Sequence, residues 1–268
     1  MSRLQTSFGV IGISAEGEGD AVPILFLHGV GSDKSVWHPQ LAHFGRTRRA
    51  LAIDYPGYGE SEPRWGAMRD DFARAALAVL DALNIDRAHI CGLSLGGVVA
   101  IAMHALAPER CTSLVLADTF AAHPEGQAIY DRSIAASQTM KMRELAEARA
   151  PSLLGAGASA AVKAEVISTM GRINAAAYRL GARAVWLADQ RDRAAAIDVP
   201  TLVLVGAEDI ITPPLLSQAL AELAGSAAPR RAEVMLETIA GAGHLANLEQ
   251  PAAFNEAVAG FIARYDAQ

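Results

Sequence analysis

The stretch Cys91-Gly92-Leu93-Ser94-Leu95-Gly96-Gly97 decides how the rest of this chain is interpreted. A mostly apolar segment, residues 87–91, leads into it, and small or aliphatic residues continue at helical spacing over 98–102. This order predicts a strand, a sharp turn and a helix. Glycines on both sides of Ser94 avoid side-chain collisions in so tight a turn, so the serine is expected to project from the sheet at the helix N-terminus. The glycine-serine pattern alone is weak evidence, and the strand and helix around it make it specific.

Size and composition fit one large α/β domain of an enzyme. The chain has 268 residues, of which 51% are hydrophobic and 19% charged, and a chain of this length buries about three quarters of its unfolded surface. The net charge of −6 offers no basic field for nucleic acid, so we expect no nucleic-acid partner. Short arginine clusters at 46–49 and 230–231 are interpreted as solvated ends of structural elements.

The cysteines and the N-terminal residues indicate the cellular compartment of the protein. Cys91 and Cys111 both fall in apolar segments typical of strands, which predicts buried thiols in a reducing compartment. Residues 1–20 contain only a short apolar run followed by acidic turn residues, too little for a secretory signal or a membrane span. We therefore expect a cytoplasmic protein without membrane contact. The oligomeric state stays open, with a homodimer among the alternatives.

The first strands are expected to lead to a loop with a catalytic role. Residues 8–14 alternate weakly and end in an acidic, glycine-rich turn, which predicts a hairpin into residues 22–27. That second strand is apolar on both faces, as in buried parallel sheets, and stops at His28-Gly29-Val30-Gly31. Glycines flanking Val30 allow its backbone N–H to point into a site. We predict the N–H groups of Val30 and Leu95 as the two donors of an oxyanion hole.

Composition divides the chain into a core and an insertion. Between residues 120 and 193 the strand-like runs disappear, and alanine, arginine and glutamate dominate, which predicts a helical lid. Strand-like runs return at 201–206 and 233–239. We therefore predict a core domain from 1–119 and 194–268, with a lid at 120–193 inserted before the last two strands.

The order of three polar residues along the chain indicates nucleophilic catalysis. Ser94 on a tight turn, Asp209 after a later strand and His244 in a glycine-flanked loop follow the serine, acid, histidine order of one hydrolase class. Ser94 is expected to attack, His244 to transfer its proton, and Asp209 to orient the imidazole. Asp118 ends another strand and is the alternative acid, but the loop of Asp209 lies beside the strand that leads to His244. Asp54, next to a Pro-Gly turn, is interpreted as structural.

These motifs resemble the α/β-hydrolase superfamily along nearly the whole chain. The resemblance is carried by His28-Gly29, Asp54-Tyr55-Pro56-Gly57-Tyr58-Gly59-Glu60-Ser61, Gly92-Leu93-Ser94-Leu95-Gly96-Gly97, Gly206-Ala207-Glu208-Asp209 and Gly243-His244. Similarity to 3-oxoadipate enol-lactone hydrolases is carried by residues 108–110, 114–119, 197–203, 212–214 and 242–251. The resemblance implies an α/β fold with a mostly parallel eight-stranded sheet flanked by helices, a helical cap, and hydrolysis without cofactor or metal. Serine at position 94, where the haloalkane dehalogenase and epoxide hydrolase branches have aspartate, argues against those branches.

The predicted substrate is a small molecule, and the lid is expected to select it. A pocket with apolar walls and one or two polar anchors is typical of such enzymes. Trp186, Tyr130 and Arg132 are the predicted substrate contacts, and Arg183 and Tyr178 are further candidates for a carboxylate anchor. The predicted function is that of a cofactor-free serine hydrolase cleaving a small carboxylic ester or (enol-)lactone through an acyl-enzyme.

Two other functions remain open. A carbon–carbon bond hydrolase of aromatic ring meta-cleavage products resembles this architecture and uses the same three residue types, and chromophoric dienone substrates would distinguish it. A ligand-binding receptor on the same fold keeps the three residues but has little turnover. Tight ligand binding with slow or absent hydrolysis would favour the receptor hypothesis.

Overall fold

A computed structural model describes residues 2–229 and 232–266, and one sheet forms its centre. The eight strands are β1 (Ser2–Thr6), β2 (Gly9–Glu16), β3 (Ile24–Leu27), β4 (Ala50–Ile53), β5 (Ala88–Leu93), β6 (Cys111–Ala117), β7 (Thr201–Gly206) and β8 (Val234–Ile239). Their order across the sheet is β1-β2-β4-β3-β5-β6-β7-β8. β2 pairs antiparallel with β1 and β4, and all later neighbours pair in parallel. The predicted eight-stranded, mostly parallel sheet is confirmed.

The predicted N-terminal hairpin is wrong. β2 forms its hairpin with β1, Ser2 opposite Ile13, and its other neighbour is β4. β3 lies between β4 and β5 instead. All four residues of β3 are buried, which suits a strand with parallel neighbours on both sides, whereas the partly exposed β2 suits the antiparallel margin of the sheet.

Helices cover both faces of the sheet. In chain order, the helices of the described residues are α1 (His38–Phe44), α2 (Arg69–Ala82), α3 (Leu95–Leu106), α4 (Gly126–Thr139), α5 (Met142–Leu153), α6 (Ala160–Arg172), α7 (Ala175–Trp186), α8 (Arg191–Ala195), α9 (Pro214–Leu223), α10 (Ala246–Glu249) and α11 (Pro251–Ile262). Side chains alternate along β3: Leu25 and Leu27 join the hydrophobic cluster that contains α2 and α3, while Ile24 and Phe26 join the cluster that contains α1 and α11. The sheet is therefore buried on both sides.

Five helices, α4 to α8, follow β6 before the chain returns to the sheet at β7. α4 packs on α7, α5 packs on α6, and α7 also contacts α2 and α3. This is the part of the sequence for which a lid is predicted, and the exact domain boundaries stay a prediction. Its packing against α3 brings it close to the turn that carries Ser94.

Several smaller predictions have clear outcomes. Both cysteines are free and buried in strands, and burial raises the pKa of the Cys111 thiol to about 12. The prediction of a solvated arginine is wrong for Arg48, because its guanidinium is buried and binds both carboxylate oxygens of Asp266. Arg230 and Arg231 lie outside the residues that the structure describes. Within those residues, no helix has the length and apolar character needed to cross a bilayer.

Candidate functional site

Ser94 occupies the turn between β5 and α3 in a strained backbone conformation. Its φ of 55° and ψ of −114° are rare for a residue with a side chain. The surrounding structure holds it there: its N–H donates to the carbonyl of Ala117 at 2.9 Å, and its carbonyl accepts the hydroxyl of Thr119 at 2.8 Å. Gly96 is required because a Cβ at that position would collide with the carbonyl oxygen of Leu27. The turn presents Ser94 to a cavity at the carboxyl ends of the strands.

His244 and Asp209 are joined by a buried hydrogen bond. Nδ1 of His244 donates to Oδ2 of Asp209 at 2.8 Å, and both side chains are at least nine-tenths buried. The Thr212 hydroxyl donates to the same oxygen at 2.5 Å, while Oδ1 of Asp209 accepts the N–H groups of Ile211 and Thr212. Burial opposes ionisation, but His244 and these donors outweigh it and lower the pKa of Asp209 to about 2. Asp209 is therefore charged at neutral pH, and Nε2 of His244 is left as the nitrogen able to accept a proton.

The loop of His244 is fixed by contacts from two directions. The His244 N–H donates to the carbonyl of Leu153, at the end of α5, at 3.0 Å. Glu249 accepts hydrogen bonds from the N–H groups of Gly243 and Leu245, on either side of the histidine, and also from the N–H of Gly155. The histidine loop and the chain leaving α5 are thus tied to one carboxylate.

Asp118, the alternative acid, is buried beside Asp209 and does not contact His244 in any recorded hydrogen bond or ion pair. Its Oδ1 accepts the N–H of Gly206 at 2.8 Å, and its φ is 47°. Burial, then the negative charge of Asp209, raise the pKa of Asp118 well above its usual range. Of these two carboxylates, Asp209 is the one that hydrogen-bonds His244, while Asp118 binds the backbone of Gly206.

The two predicted oxyanion donors are both unengaged. Neither the N–H of Val30 nor that of Leu95 makes a hydrogen bond within the described part of the chain. The carbonyl of the Gly29–Val30 peptide accepts Nδ1–H of His28 at 2.8 Å and the N–H of Ser32 at 3.2 Å, which fixes the plane of the peptide and thereby the direction of the Val30 N–H. Leu95 begins α3, so its N–H has no acceptor within the helix.

Two cavities meet at this site. The smaller, about 20 Å³, is bordered by Ser94, His244 and Val30. The larger, about 600 Å³, lies between α4, α5, α7 and the loop that follows β7, and its lining is mostly apolar. Trp186 and Arg149 border both cavities, so they form the wall between them. The larger cavity has the volume expected for a small-molecule site.

The predicted substrate contacts are distributed unevenly over these cavities. Trp186 borders both, and Arg132 borders the larger one from an exposed position on α4. Tyr130 borders neither, because its ring is partly buried against the main hydrophobic cluster. Arg149 is the residue that sequence reasoning missed. Nothing in its helical surroundings distinguishes it from the other lid arginines, and its partner Tyr178 is 29 residues away.

The residues present suit acid–base and nucleophilic chemistry. Within residues 2–229 and 232–266, no group of three or more histidine, cysteine, aspartate or glutamate side chains has an arrangement that could hold a metal ion. The small cavity is instead bordered by the hydroxyl of Ser94, by an imidazole held by a carboxylate, and by Val30, whose backbone N–H is free within the described residues. This set of groups matches the requirements of acyl transfer.

Comparison with known proteins agrees with this architecture. The chain is 26% identical over 263 residues to 3-oxoadipate enol-lactonase 1 of Acinetobacter baylyi, covering 94% of this chain and 92% of that protein. It is 30% identical to the uncharacterized carboxylesterase nap of Bacillus subtilis, covering 97% and 85%. The crystal structure of the enol-lactonase from Burkholderia xenovorans superposes with a TM-score of 0.87 at 25% identity, covering 98% of this chain and 100% of that one. The sequence model of the alpha/beta hydrolase family matches residues 24–257, so the chain is a member of the α/β hydrolase family of enzymes.

Proposed function

We propose that this chain is a serine hydrolase that cleaves a small carboxylic ester or lactone through an acyl-enzyme. One observation carries the proposal: Ser94 and His244 border the same cavity, and the Nδ1 side of His244 is held by a charged carboxylate, that of Asp209. Relatives named as enol-lactonase and carboxylesterase support this reaction class. All the catalytic groups come from the chain, so the reaction needs no cofactor.

In the proposed mechanism, Oγ of Ser94 attacks the carbonyl carbon while Nε2 of His244 takes its proton. The negative charge that forms on the carbonyl oxygen accepts hydrogen bonds from the N–H groups of Val30 and Leu95. Asp209 stabilises the imidazolium, which then gives the proton to the leaving oxygen. Water, deprotonated by the same histidine, releases the acid from Ser94. In a lactone the leaving oxygen stays on the released product.

The test is hydrolysis of a small panel by the wild type and by Ser94→Ala. The panel contains p-nitrophenyl acetate, p-nitrophenyl butyrate, an enol-lactone and a ring-cleavage dienone. We expect ester or lactone turnover that Ser94→Ala removes, together with a mass shift at Ser94 after treatment with a fluorophosphonate. Turnover that survives in Ser94→Ala would overturn the mechanism.

The same panel separates the alternatives. Preferred turnover of the dienone would indicate that the chain is a carbon–carbon bond hydrolase and not an ester or lactone hydrolase. Absence of turnover on every substrate, with tight binding of one of them, would favour the receptor function. Asp209→Asn and His244→Gln are expected to lower kcat by about 10³-fold or more, since removing members of such a triad has effects of this size.

A further inference from the structure

We propose that Arg149 forms an anion subsite, so that the preferred substrates are small esters or lactones with a carboxylate on the acyl side. This inference rests on the proposed function, because it uses Ser94 as the point of attack. The subsite consists of the Arg149 guanidinium at the wall shared by the two cavities. It adds a recognition element of defined charge to a site that is otherwise largely apolar.

The position of Arg149 is the first argument. Among the described residues that border the small cavity, Arg149 and His244 alone have ionisable side chains, and Ser94 borders it too. A substrate whose carbonyl lies at Ser94 would have the remainder of its acyl chain beside Arg149 or in the larger cavity beyond it. A carboxylate a few bonds from the scissile carbonyl would therefore meet a cation within the same enclosed space.

The second argument is that the charge of Arg149 is unbalanced. Its Nη1 donates to the hydroxyl of Tyr178 at 2.7 Å, and this phenol supplies no negative charge. Of the ion pairs recorded over residues 2–229 and 232–266, none includes Arg149. Arg48 and Arg193, which are also partly or fully buried, pair with Asp266 and Asp70. A partly buried cation without a counter-ion is unfavourable unless a ligand supplies one.

The third argument is that the Arg149 side chain is already held in place before a ligand binds. Tyr178 is buried on α7, and its hydroxyl restrains Arg149, which extends from α5. Over the described part of the chain, the contact with Tyr178 engages one of the five N–H donors of the guanidinium, so the others can bind a carboxylate through two parallel hydrogen bonds. The remaining charged groups of the larger cavity, Glu125 and Arg132, are exposed to solvent, which weakens their influence on a ligand.

The test compares two esters of equal acyl length, mono-p-nitrophenyl succinate and p-nitrophenyl butyrate, which differ in a terminal carboxylate. The measured quantity is the ratio of kcat/KM for the succinate to that for the butyrate. In Arg149→Gln we expect this ratio to fall by about tenfold or more, mainly through a higher KM for the succinate. The control is Arg143→Gln, the same change on an exposed arginine of the same helix that borders neither cavity, and its ratio should stay within about twofold of the wild type.

The outcomes separate the subsite from the proposed function. A ratio in Arg149→Gln equal to that of the wild type would overturn the subsite, even where butyrate hydrolysis still depends on Ser94. If the wild type hydrolyses neither ester, the proposed function fails on these substrates, and the subsite is decided by calorimetry with monomethyl succinate and the Ser94→Ala protein. Binding that is lost on adding Arg149→Gln supports the subsite. Binding that is absent from the start, or that survives the change, overturns it.

Discussion

Asp118 lies buried close to Asp209, so that burial and then the negative charge of Asp209 raise the pKa of the Asp118 carboxyl well above its usual range. Two carboxyl groups buried near each other repel when both are charged, which favours a proton on one of them. Asp209 already accepts four hydrogen bonds, from His244, Ile211 and Thr212, whereas Oδ2 of Asp118 meets no recorded donor. Asp118 is therefore the member of this pair that holds a proton more readily.

Asp118→Asn is expected to become more stable relative to the wild type as pH rises. Burial, then the charge of Asp209, raise the pKa of Asp118 in the folded protein above its unfolded value, so the folded state retains a proton that the unfolded state loses above about pH 4. The stability of the wild type then falls with pH by at most about 1.4 kcal/mol per pH unit from this residue. Asparagine does not titrate, yet its amide keeps an oxygen that can accept the Gly206 N–H.

The measurement is denaturant unfolding of both proteins at pH 4, 5.5 and 7. A stability difference that stays constant over these three pH values would show that Asp118 is ionised in the folded protein. Asp118→Leu serves as the comparison, because it removes the titration and also the acceptor of the Gly206 N–H. We expect it to be less stable than Asp118→Asn at every pH.

His28 is expected to affect kcat through the Val30 N–H, the proposed oxyanion donor, because its ring fixes the Gly29–Val30 peptide. Its ring is buried against Tyr55 and Tyr58, with centroid distances of 4.4 and 5.0 Å, and burial lowers its pKa. The neutral ring donates from Nδ1 to the carbonyl of Gly29. His28→Leu removes this donor, and we expect kcat to fall by about tenfold to a hundredfold with a smaller change in KM.

His28→Asn is the matched variant, because its side-chain amide can still donate to the Gly29 carbonyl. Steady-state kinetics on p-nitrophenyl butyrate should place its kcat between those of the wild type and His28→Leu. Equal kcat values for the two variants would mean that ring packing, and not the hydrogen bond to Gly29, accounts for the loss. Thermal unfolding of both variants reports the packing contribution separately.

Glu249 is expected to stabilise the histidine loop. Its half-buried carboxylate accepts N–H groups of Gly155, Gly243 and Leu245 at 2.7, 2.9 and 3.3 Å. Glu249→Ala leaves these donors without their acceptor, and we expect a loss of about 2–3 kcal/mol in the free energy of unfolding, with a lower kcat. Glu256→Ala, an exposed change on α11, is the control and should stay within about 0.5 kcal/mol of the wild type. Similar unfolding midpoints for the two variants in urea would contradict the assigned role.

Lys34 and Asp54 form a buried ion pair beside the loop that carries Val30. Nζ of Lys34 lies 2.6 Å from Oδ2 of Asp54 and 2.7 Å from Oε2 of Glu60, and both Lys34 and Asp54 are buried. Lys34→Met leaves the Asp54 charge without its cation, so we expect a loss of about 3–5 kcal/mol in unfolding free energy. The double variant Lys34→Met, Asp54→Asn should recover part of this loss. If the double variant is as unstable as the sum of the two single changes, the pair is not coupled.

The fold was largely predictable because its signals are local. The strand, turn and helix around Ser94 depend on glycines and apolar spacing within a dozen residues, and β3 and β7 each show as an apolar run bounded by turn residues. The N-terminal hairpin was not predictable in this way, because the choice between β1 and β3 as the neighbour of β2 depends on which strands are covered on both faces.

The sequence by itself determined the family resemblance, the strained serine turn and the order of serine, aspartate and histidine along the chain, because backbone geometry and chain order are properties of short segments. Only the tertiary structure decided which side chains meet. Asp118 and Asp209 are 91 positions apart and Arg149 and Tyr178 are 29 apart, and each pair is brought together by packing between different elements. Cavity walls and buried charges arise from such packing, so the anion subsite and the acid pair had no local signal in the sequence.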